Sequence, residues 1–160
     1  MDHEKKFHEL AADFDTVVLV TAAQDGTLHA RPMQLARLEE SGRAYFSTAL
    51  DSPKITELKS DPHAVATFQG AKQFATLSGT VSLSRDRGLI AELWQDDWAV
   101  WFPNGKDDPQ LCILILDGKI GEYWDRSGIQ EMAYRLAEIG AAVTGESPVQ
   151  PREQYGKVTF

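Results

Sequence analysis

Apolar and polar positions alternate along most of the chain, which is the pattern of half-buried β-strands. The strand-like runs follow one another across short turns, and they cover 16–21, 28–38, 43–47, 64–68, 74–83 and 111–124, the last broken at Asp117–Gly118. Parallel βαβ units would instead place a helix of about ten or more residues between successive strands. The pattern therefore predicts a mainly β fold, an antiparallel β-barrel or sandwich with peripheral α-helices.

A three-to-four residue spacing of apolar positions marks helices at the margins of this fold. It predicts helices over 3–14, 52–60, 84–94 and 129–143, with Met132, Leu136 and Ile139 on one stripe of the last. The segment 98–109 mixes aromatic and turn-forming residues and is expected to lie over the body of the fold. Residues 1–145 are predicted to form one domain and 146–160 a loosely ordered tail, in which Val158 and Phe160 could dock.

Composition narrows the classes of partner. The 160 residues carry a formal net charge of −8, so no basic stripe is available for nucleic acid or an anionic membrane. No apolar stretch approaches the roughly 18 residues that span a bilayer, and the first residues are charged, so we expect a cytoplasmic protein. The single cysteine, Cys112, lies in an apolar run and is interpreted as a small buried hydrophobe.

Hydroxyl groups and one lysine gather where a strand gives way to a helix. Ser47 and Thr48 end the strand, Ser52 and Pro53 suit the start of a helix, and Lys54 follows. Hydroxyls, backbone N–H groups at a helix N-terminus and a cation together suit a phosphate. The alternative is an N-cap serine among ordinary surface polar residues.

Arg31, Pro32 and Met33 form a second candidate group. Proline cannot donate to a strand ladder, so Pro32 indicates an edge or bulge where a ligand could reach the backbone. Arginine can bind a carbonyl or phosphate oxygen, and methionine offers a polarizable contact to an aromatic ring. The alternative is a surface arginine beside a core methionine. Trp124, near the end of the last long strand, could pack on a planar cofactor or mark a subunit interface.

Other kinds of site have little support in the sequence. The four histidines are scattered without metal-ligand spacing, so no metal site is predicted. Nucleophile-elbow and phosphate-loop motifs do not occur, and no residue is assigned a catalytic role.

Taken in order, several motifs resemble the general stress protein 26 group of the pyridoxamine 5′-phosphate oxidase-related, FMN-binding split-barrel superfamily. The resemblance covers about 7–124. It rests on His29-Ala30-Arg31-Pro32-Met33, Phe46-Ser47-Thr48, Ser52-Pro53-Lys54, Asp61-Pro62, Ser78-Gly79, Glu92-Leu93-Trp94, Trp101-Phe102-Pro103-Asn104-Gly105, Asp107-Asp108-Pro109 and Glu122-Tyr123-Trp124-Asp125.

The resemblance implies a split barrel that forms a homodimer and holds FMN, or FAD in its place, in a groove between the subunits. Arg31 and Met33, with Pro32 between them, would contact the flavin, and Trp124 would reach it from the partner subunit. Lys72 and Gln73 lie about where relatives have a flavin-contacting glutamine. The phosphate and ribityl chain would lie on Ser47, Thr48, Ser52 and Lys54.

Two departures argue against vitamin B6 oxidation. The oxidases carry Ser-Arg-Lys where this chain has Ser52-Pro53-Lys54, and their basic C-terminal segment is not evident. The sequence therefore predicts an FMN-binding protein of the general stress type, as a flavin-dependent oxidoreductase with a nicotinamide donor or as a carrier or sensor without turnover. A barrel that binds deazaflavin or haem is the remaining alternative, with His29 or His63 as the axial haem ligand.

Overall fold

The computed structural model describes residues 2–127, 129–145 and 155–160. Its strands are β1 (Thr16–Ala22), β2 (Leu28–Leu38), β3 (Arg43–Ala49), β4 (His63–Gln69), β5 (Gln73–Ser84), β6 (Leu111–Asp125) and β7 (Tyr155–Thr159). Its helices are α1 (His3–Ala11), α2 (Pro53–Ser60), α3 (Arg87–Leu93) and α4 (Ile129–Thr144). Between α3 and β6 lies the aromatic loop, residues 95–109, which contains two 3₁₀ turns, Asp96–Val100 and Gly105–Asp107.

The strands form one antiparallel sheet in the order β3-β2-β1-β4-β5-β6-β7. Pairing of β3 with the first half of β6 closes six of them into a barrel, and β7 adds to the second half of β6. This confirms the predicted antiparallel barrel with peripheral helices. It also decides between the barrel and the sandwich that the alternation pattern left open.

The barrel opens between β2 and β3. These strands pair only from Leu35 opposite Phe46 to Leu38 opposite Ala44, across an irregularity between Leu35 and Arg37. The first part of β2 pairs with β1 instead, and the end of β3 pairs with β6. A gap therefore separates 28–34 from 47–49, although each strand remains paired on its other side.

Apolar residues pack on both sides of the barrel wall. The main core fills the interior, where Leu19, Phe46 and Leu77 are completely buried. A second core lies outside, where Tyr45, Ile113 and other residues of β3 and β6 meet α3 and the aromatic loop. Because β6 is covered on both faces over its first half, its sequence there is a continuous apolar run rather than an alternating one.

The predicted break in the last long strand is wrong. Strand β6 continues through Asp117 and Gly118, and its pairing with β5 shifts just beyond them, where Ser78 lies opposite Ile120, Gly79 lies opposite Gly118 and Lys119 has no opposite residue on β5. Gly79 has no room for a Cβ, because the carbonyl oxygen of Asp117 occupies that position. The glycines at this crossing therefore allow the close approach of two backbones rather than a turn.

Both ends of the chain differ from the prediction. Helix α1 ends at Ala11, before the expected Phe14. The predicted tail, 146–160, contains the unpredicted strand β7 at 155–159. The expected docking of its last residues is confirmed, since Val158 is buried and the Phe160 ring packs edge-on against Phe7 with centroids 5.7 Å apart. The remaining part of the tail, 146–154, lies outside the described residues.

Helix α4 has nearly the predicted extent, and two residues of its predicted stripe are exposed. Leu136 and Ile139 are both more than half exposed, and the side chain of Met132 lies outside the described part of the chain. Within the described ranges, no helix combines the length and apolar character needed to cross a bilayer.

Candidate functional site

A groove of about 440 Å³ lies at the gap between β2 and β3. Its walls come from β2, the end of β3, the start of α2 and the aromatic loop. The lining residues are Thr16, Pro32, Met33, Gln34, Ser47, Thr48, Ala49, Lys54, Trp101 and Phe102. This volume is within the range of small-molecule sites. The fold therefore brings five of the eight predicted site residues to one groove: Pro32, Met33, Ser47, Thr48 and Lys54.

Lys54 is the positive charge of this groove. Its Nζ donates hydrogen bonds to Thr48 Oγ1 at 2.9 Å and to Ser52 Oγ at 2.5 Å. Across the described ranges, no carboxylate oxygen lies within 4.0 Å of Nζ. Burial, and then the nearby charge of Arg31, lower the pKa of Lys54. A partly buried ammonium whose partners are neutral hydroxyls retains most of its attraction for an anion.

Ser52 occupies the N-cap position of α2, as predicted, and Pro53 follows at the first helical position. The Ser52 hydroxyl makes no capping bond to a backbone N–H, and its oxygen accepts a hydrogen bond from Lys54. The first turn of α2 contains no acidic residue. The positive end of the helix dipole and the Lys54 ammonium therefore act at the same corner of the groove.

Arg31 lies beside this corner but does not line the groove. Its Nη1 donates to Thr21 Oγ1 at 2.6 Å, and its Nη2 donates to Glu57 Oε2 at 3.0 Å. Both terminal nitrogens of the guanidinium are therefore bonded within the protein. The expectation that Arg31 contacts a flavin stays a prediction.

Glu57, on α2, is the residue that holds Arg31, and no motif in the sequence indicated this role. Its carboxylate also accepts from Thr21 Oγ1 at 2.5 Å and lies 2.6 Å from His29 Nδ1. The hydrogen bond from Thr21, followed by those from His29 and Arg31, lowers the pKa of Glu57 to about 2. We call Thr21, His29, Arg31 and Glu57 the Glu57 cluster. It joins α2 to β1 and β2 at the corner where Lys54 lies.

Trp124 is distant from the groove within one chain. It lies twelve positions along β6 from Cys112, which pairs with Thr48, and at ~3.3 Å per residue this separation is tens of ångströms. The Trp124 ring packs against Tyr155 of β7, with centroids 5.5 Å apart. The expected contact between Trp124 and a cofactor of the partner subunit stays a prediction.

The same holds for Lys72 and Gln73. Neither residue lines the groove, and Gln73 Nε2 donates to Asp125 Oδ1 at 3.3 Å. The expectation that they correspond to a flavin-contacting glutamine of the relatives therefore stays a prediction.

The aromatic loop supplies a wall of the groove that sequence reasoning did not assign. Phe102 is buried, whereas Trp101 is 76% exposed. Gln34 of β2 also lines the groove, and its Nε2 donates to Asp97 Oδ2 of the loop at 2.8 Å. The high density of aromatic residues in 98–102 could have indicated a wall of the groove, but the sequence does not show which ring faces outward.

The groove offers few groups for proton transfer. Among the lining residues that the structure describes, Lys54 is the one side chain that titrates. In the described part of the chain, no group of three or more His, Cys, Asp or Glu side chains is placed to hold a metal ion. The arrangement can therefore bind and orient an anion beside an apolar wall.

A closed antiparallel barrel whose wall opens between β2 and β3 is a split barrel, which is the fold that the resemblance implied. Residues 2–149 match the model of the family described as pyridoxamine 5′-phosphate oxidase like, and the chain belongs to this family.

Solved structures extend this result. The general stress FMN/FAD binding protein of Xanthomonas citri is 30% identical, with a TM-score of 0.64 over 79% of this chain and 89% of that one. A Clostridium acetobutylicum protein related to general stress protein 26 is 23% identical, with a TM-score of 0.69 over 81% of this chain and 98% of that one. The latter supports the fold.

A curated relative matches a shorter segment. Protein bli-3 of Neurospora crassa is 30% identical over an alignment of 103 residues, which covers 58% of this chain and 49% of that protein. The match therefore spans about half the length of the curated relative.

Proposed function

We propose that this chain binds FMN, with the phosphate on Lys54, Thr48, Ser52 and Ser47 and the ring system toward Met33 and Pro32. The observation that carries the proposal is the Lys54 ammonium, partly buried at the groove with only hydroxyl partners in the described residues. The Xanthomonas citri relative, named as an FMN/FAD binding protein, supports the choice of a flavin. A phosphate supplies the negative charge that this corner lacks.

Each residue has a defined task in this proposal. Lys54 pairs with the phosphate charge, and the hydroxyls of Ser47, Thr48 and Ser52 donate to its oxygens. Thr48 and Ser52 accept from Lys54, so each retains its O–H proton for a phosphate oxygen. Arg31 adds a second positive charge near the corner, partly offset by Glu57. Met33 packs against the flavin ring.

Electron or hydride transfer, where it occurs, is chemistry that the flavin supplies when bound. The protein contributes binding and orientation, because the described lining residues include no acid or base apart from Lys54. An oxidoreductase and a carrier without turnover therefore share the same site. If NADH or NADPH reduces the bound flavin faster than it reduces free flavin, the protein is an oxidoreductase rather than a carrier.

Haem in this groove has less support. His29 and His63 do not line it. Nδ1 of His29 lies 2.6 Å from Glu57 Oε1, and Nδ1 of His63 lies 2.7 Å from Asp61 Oδ1. The two candidate axial ligands are therefore directed to carboxylates outside the groove.

We also propose a homodimer. Trp124 lies too far along β6 to reach the groove of its own chain, so a role for it at the cofactor requires a second copy. A further groove of about 420 Å³ crosses β1, β4 and β5 on the outer face of the barrel, with Val20 and Val65 in its walls and the exposed Leu28 beside them. An uncovered β-branched surface of this kind suits a subunit contact.

Size-exclusion chromatography with light scattering tests both proposals at once. The purified protein is mixed with FMN and separated from the excess. We expect the visible flavin band to elute with the protein, at one flavin per chain, in a species of twice the 17.8 kDa chain mass. Elution without flavin would contradict FMN binding, and a monomer that retains flavin would contradict the dimer.

A further inference from the structure

Trp101, in the aromatic loop, is largely exposed to solvent. It is 76% exposed, whereas Trp98, three residues earlier, is completely buried. Its side chain nevertheless lines the groove that contains Lys54. A large amphipathic ring at the mouth of a small-molecule groove gains contact area when a planar ligand binds.

The backbone that carries Trp101 is fixed on both sides. The N–H groups of Trp101 and Phe102 both donate to the Trp98 carbonyl at 2.9 Å, and the Gly105 N–H donates to the Phe102 carbonyl at 2.9 Å. Trp98 and Phe102 are buried in the outer core. The indole is therefore held at the groove by an ordered turn, so that little backbone freedom is lost when it contacts a ligand.

Two further contacts tie the loop to the barrel and to α3. Gln34 Nε2 donates to Asp97 Oδ2 at 2.8 Å, which joins the loop to β2 beside Met33. Arg87 Nη1 donates to the carbonyl oxygen of Asp108 at 3.0 Å. These bonds set the position of the loop relative to the β2 wall of the groove.

The chemical character of the groove changes across its lining. Lys54, Thr48 and Ser47 form a polar corner, while Trp101 on the loop presents most of the apolar surface, since Met33 on β2 lines the groove but is only 6% exposed. A ligand that satisfies both parts carries an anionic group and a planar ring.

We propose that Trp101 is a binding residue that contacts the ring system of the ligand whose phosphate lies at Lys54. This inference rests on the proposed function and adds a contact to it. It assigns the aromatic loop to ring recognition and α2 to phosphate recognition. Trp101 therefore contributes equally to FMN and to riboflavin, since the two ligands share the ring and differ in the phosphate.

The test compares Trp101→Ala and Trp101→Phe with Val100→Ala. Val100 is a matched control, because it is 80% exposed in the same turn and does not line the groove. We expect Trp101→Ala to weaken FMN and riboflavin by the same factor, about three- to tenfold, as for loss of one aromatic pair. Trp101→Phe retains most of the affinity, and Val100→Ala retains all of it. The emission of bound flavin rises in Trp101→Ala, because an indole in contact quenches it.

The outcomes separate the two proposals. If the wild-type protein binds flavin and Trp101→Ala matches Val100→Ala in affinity and emission, the assignment of Trp101 is overturned while FMN binding stands. If light scattering shows that Trp101→Ala separates the subunits with unchanged affinity per chain, Trp101 is an interface residue and the assignment is again overturned. If the wild-type protein takes up no flavin, the proposed function and the assignment both fall. If the alanine variant does not fold, the emission of flavin bound to Trp101→Phe decides the same question, because the quenching indole is absent from that variant as well.

Discussion

Lys54→Ala weakens FMN binding about 10- to 150-fold and leaves riboflavin binding nearly unchanged, as for loss of one charge-assisted hydrogen bond of about 1.5–3 kcal/mol. The reason is that Nζ, among its described surroundings, contacts hydroxyls and no carboxylate. Its charge therefore acts on the ligand phosphate, which riboflavin lacks. Fluorescence titration with both ligands at one pH and one salt concentration measures the ratio.

A second lysine on the same helix provides the control. Lys59 is exposed in the last turn of α2 and does not line the groove. Lys59→Ala should therefore change neither affinity by more than a factor of about two, because exposed charges at this distance are largely screened. An equal loss of FMN and riboflavin in Lys54→Ala would show that Lys54 does not contact the phosphate.

Glu57→Gln lowers the free energy of unfolding by about 2 kcal/mol at pH 7. The Glu57 carboxylate is mostly buried and accepts from Thr21 and Arg31, with His29 beside it, and its pKa in the folded protein falls to about 2. A carboxylate with a depressed pKa stabilises the fold above its unfolded value, and this stability is lost as pH falls toward the folded value. The difference between wild type and variant should therefore decrease from about pH 4.5 to about pH 2. Urea unfolding at pH 7 and at pH 3 measures it.

Glu92→Gln is the matched control for this charge. Glu92 pairs with Arg37 at 2.8 Å, but its side chain is 59% exposed. Its replacement should cost no more than about 1 kcal/mol, since exposed pairs contribute little. An unfolding free energy for Glu57→Gln equal to that for Glu92→Gln at pH 7 would contradict a stabilising role for the Glu57 cluster.

The proximity of Thr48, Ser52 and Lys54 could be predicted from the sequence because the three residues are close along the chain. Thr48, Ser52 and Lys54 lie within seven positions, at a strand end and a helix start whose local signals are strong. Folding the strand and the helix is enough to bring these three side chains together.

Arg31 and Glu57 show where such reasoning stops. The two residues are 26 positions apart, and their contact depends on where α2 crosses the barrel. Alternation predicts the strands, but it does not predict which segments of β2 and β3 remain paired. The gap, and with it the groove, follows from the register near Leu35, where the β2–β3 ladder ends one pair beyond an irregularity.

The exposure of side chains in the aromatic loop and the formation of β7 depend on tertiary packing and strand pairing, which local sequence patterns do not show. Trp98 and Trp101 are the same residue type in the same short segment. Only the packing of the outer core buries Trp98 and leaves Trp101 exposed. The segment 155–159 has no strong strand signal of its own. It becomes a strand because the second half of β6 leaves an edge for it to pair with.

Phosphorus NMR of FMN bound to the protein tests most directly whether the flavin phosphate lies at Lys54. A phosphate in solution gains its second negative charge near pH 6. Beside Lys54 and the hydroxyls of Thr48 and Ser52, the dianion is favoured, so the bound phosphate should lose its last proton well below this pH, and Lys54→Ala should return the titration toward the free value. A bound flavin whose phosphate titrates as it does in solution, identically in wild type and Lys54→Ala, would contradict a phosphate site at this corner.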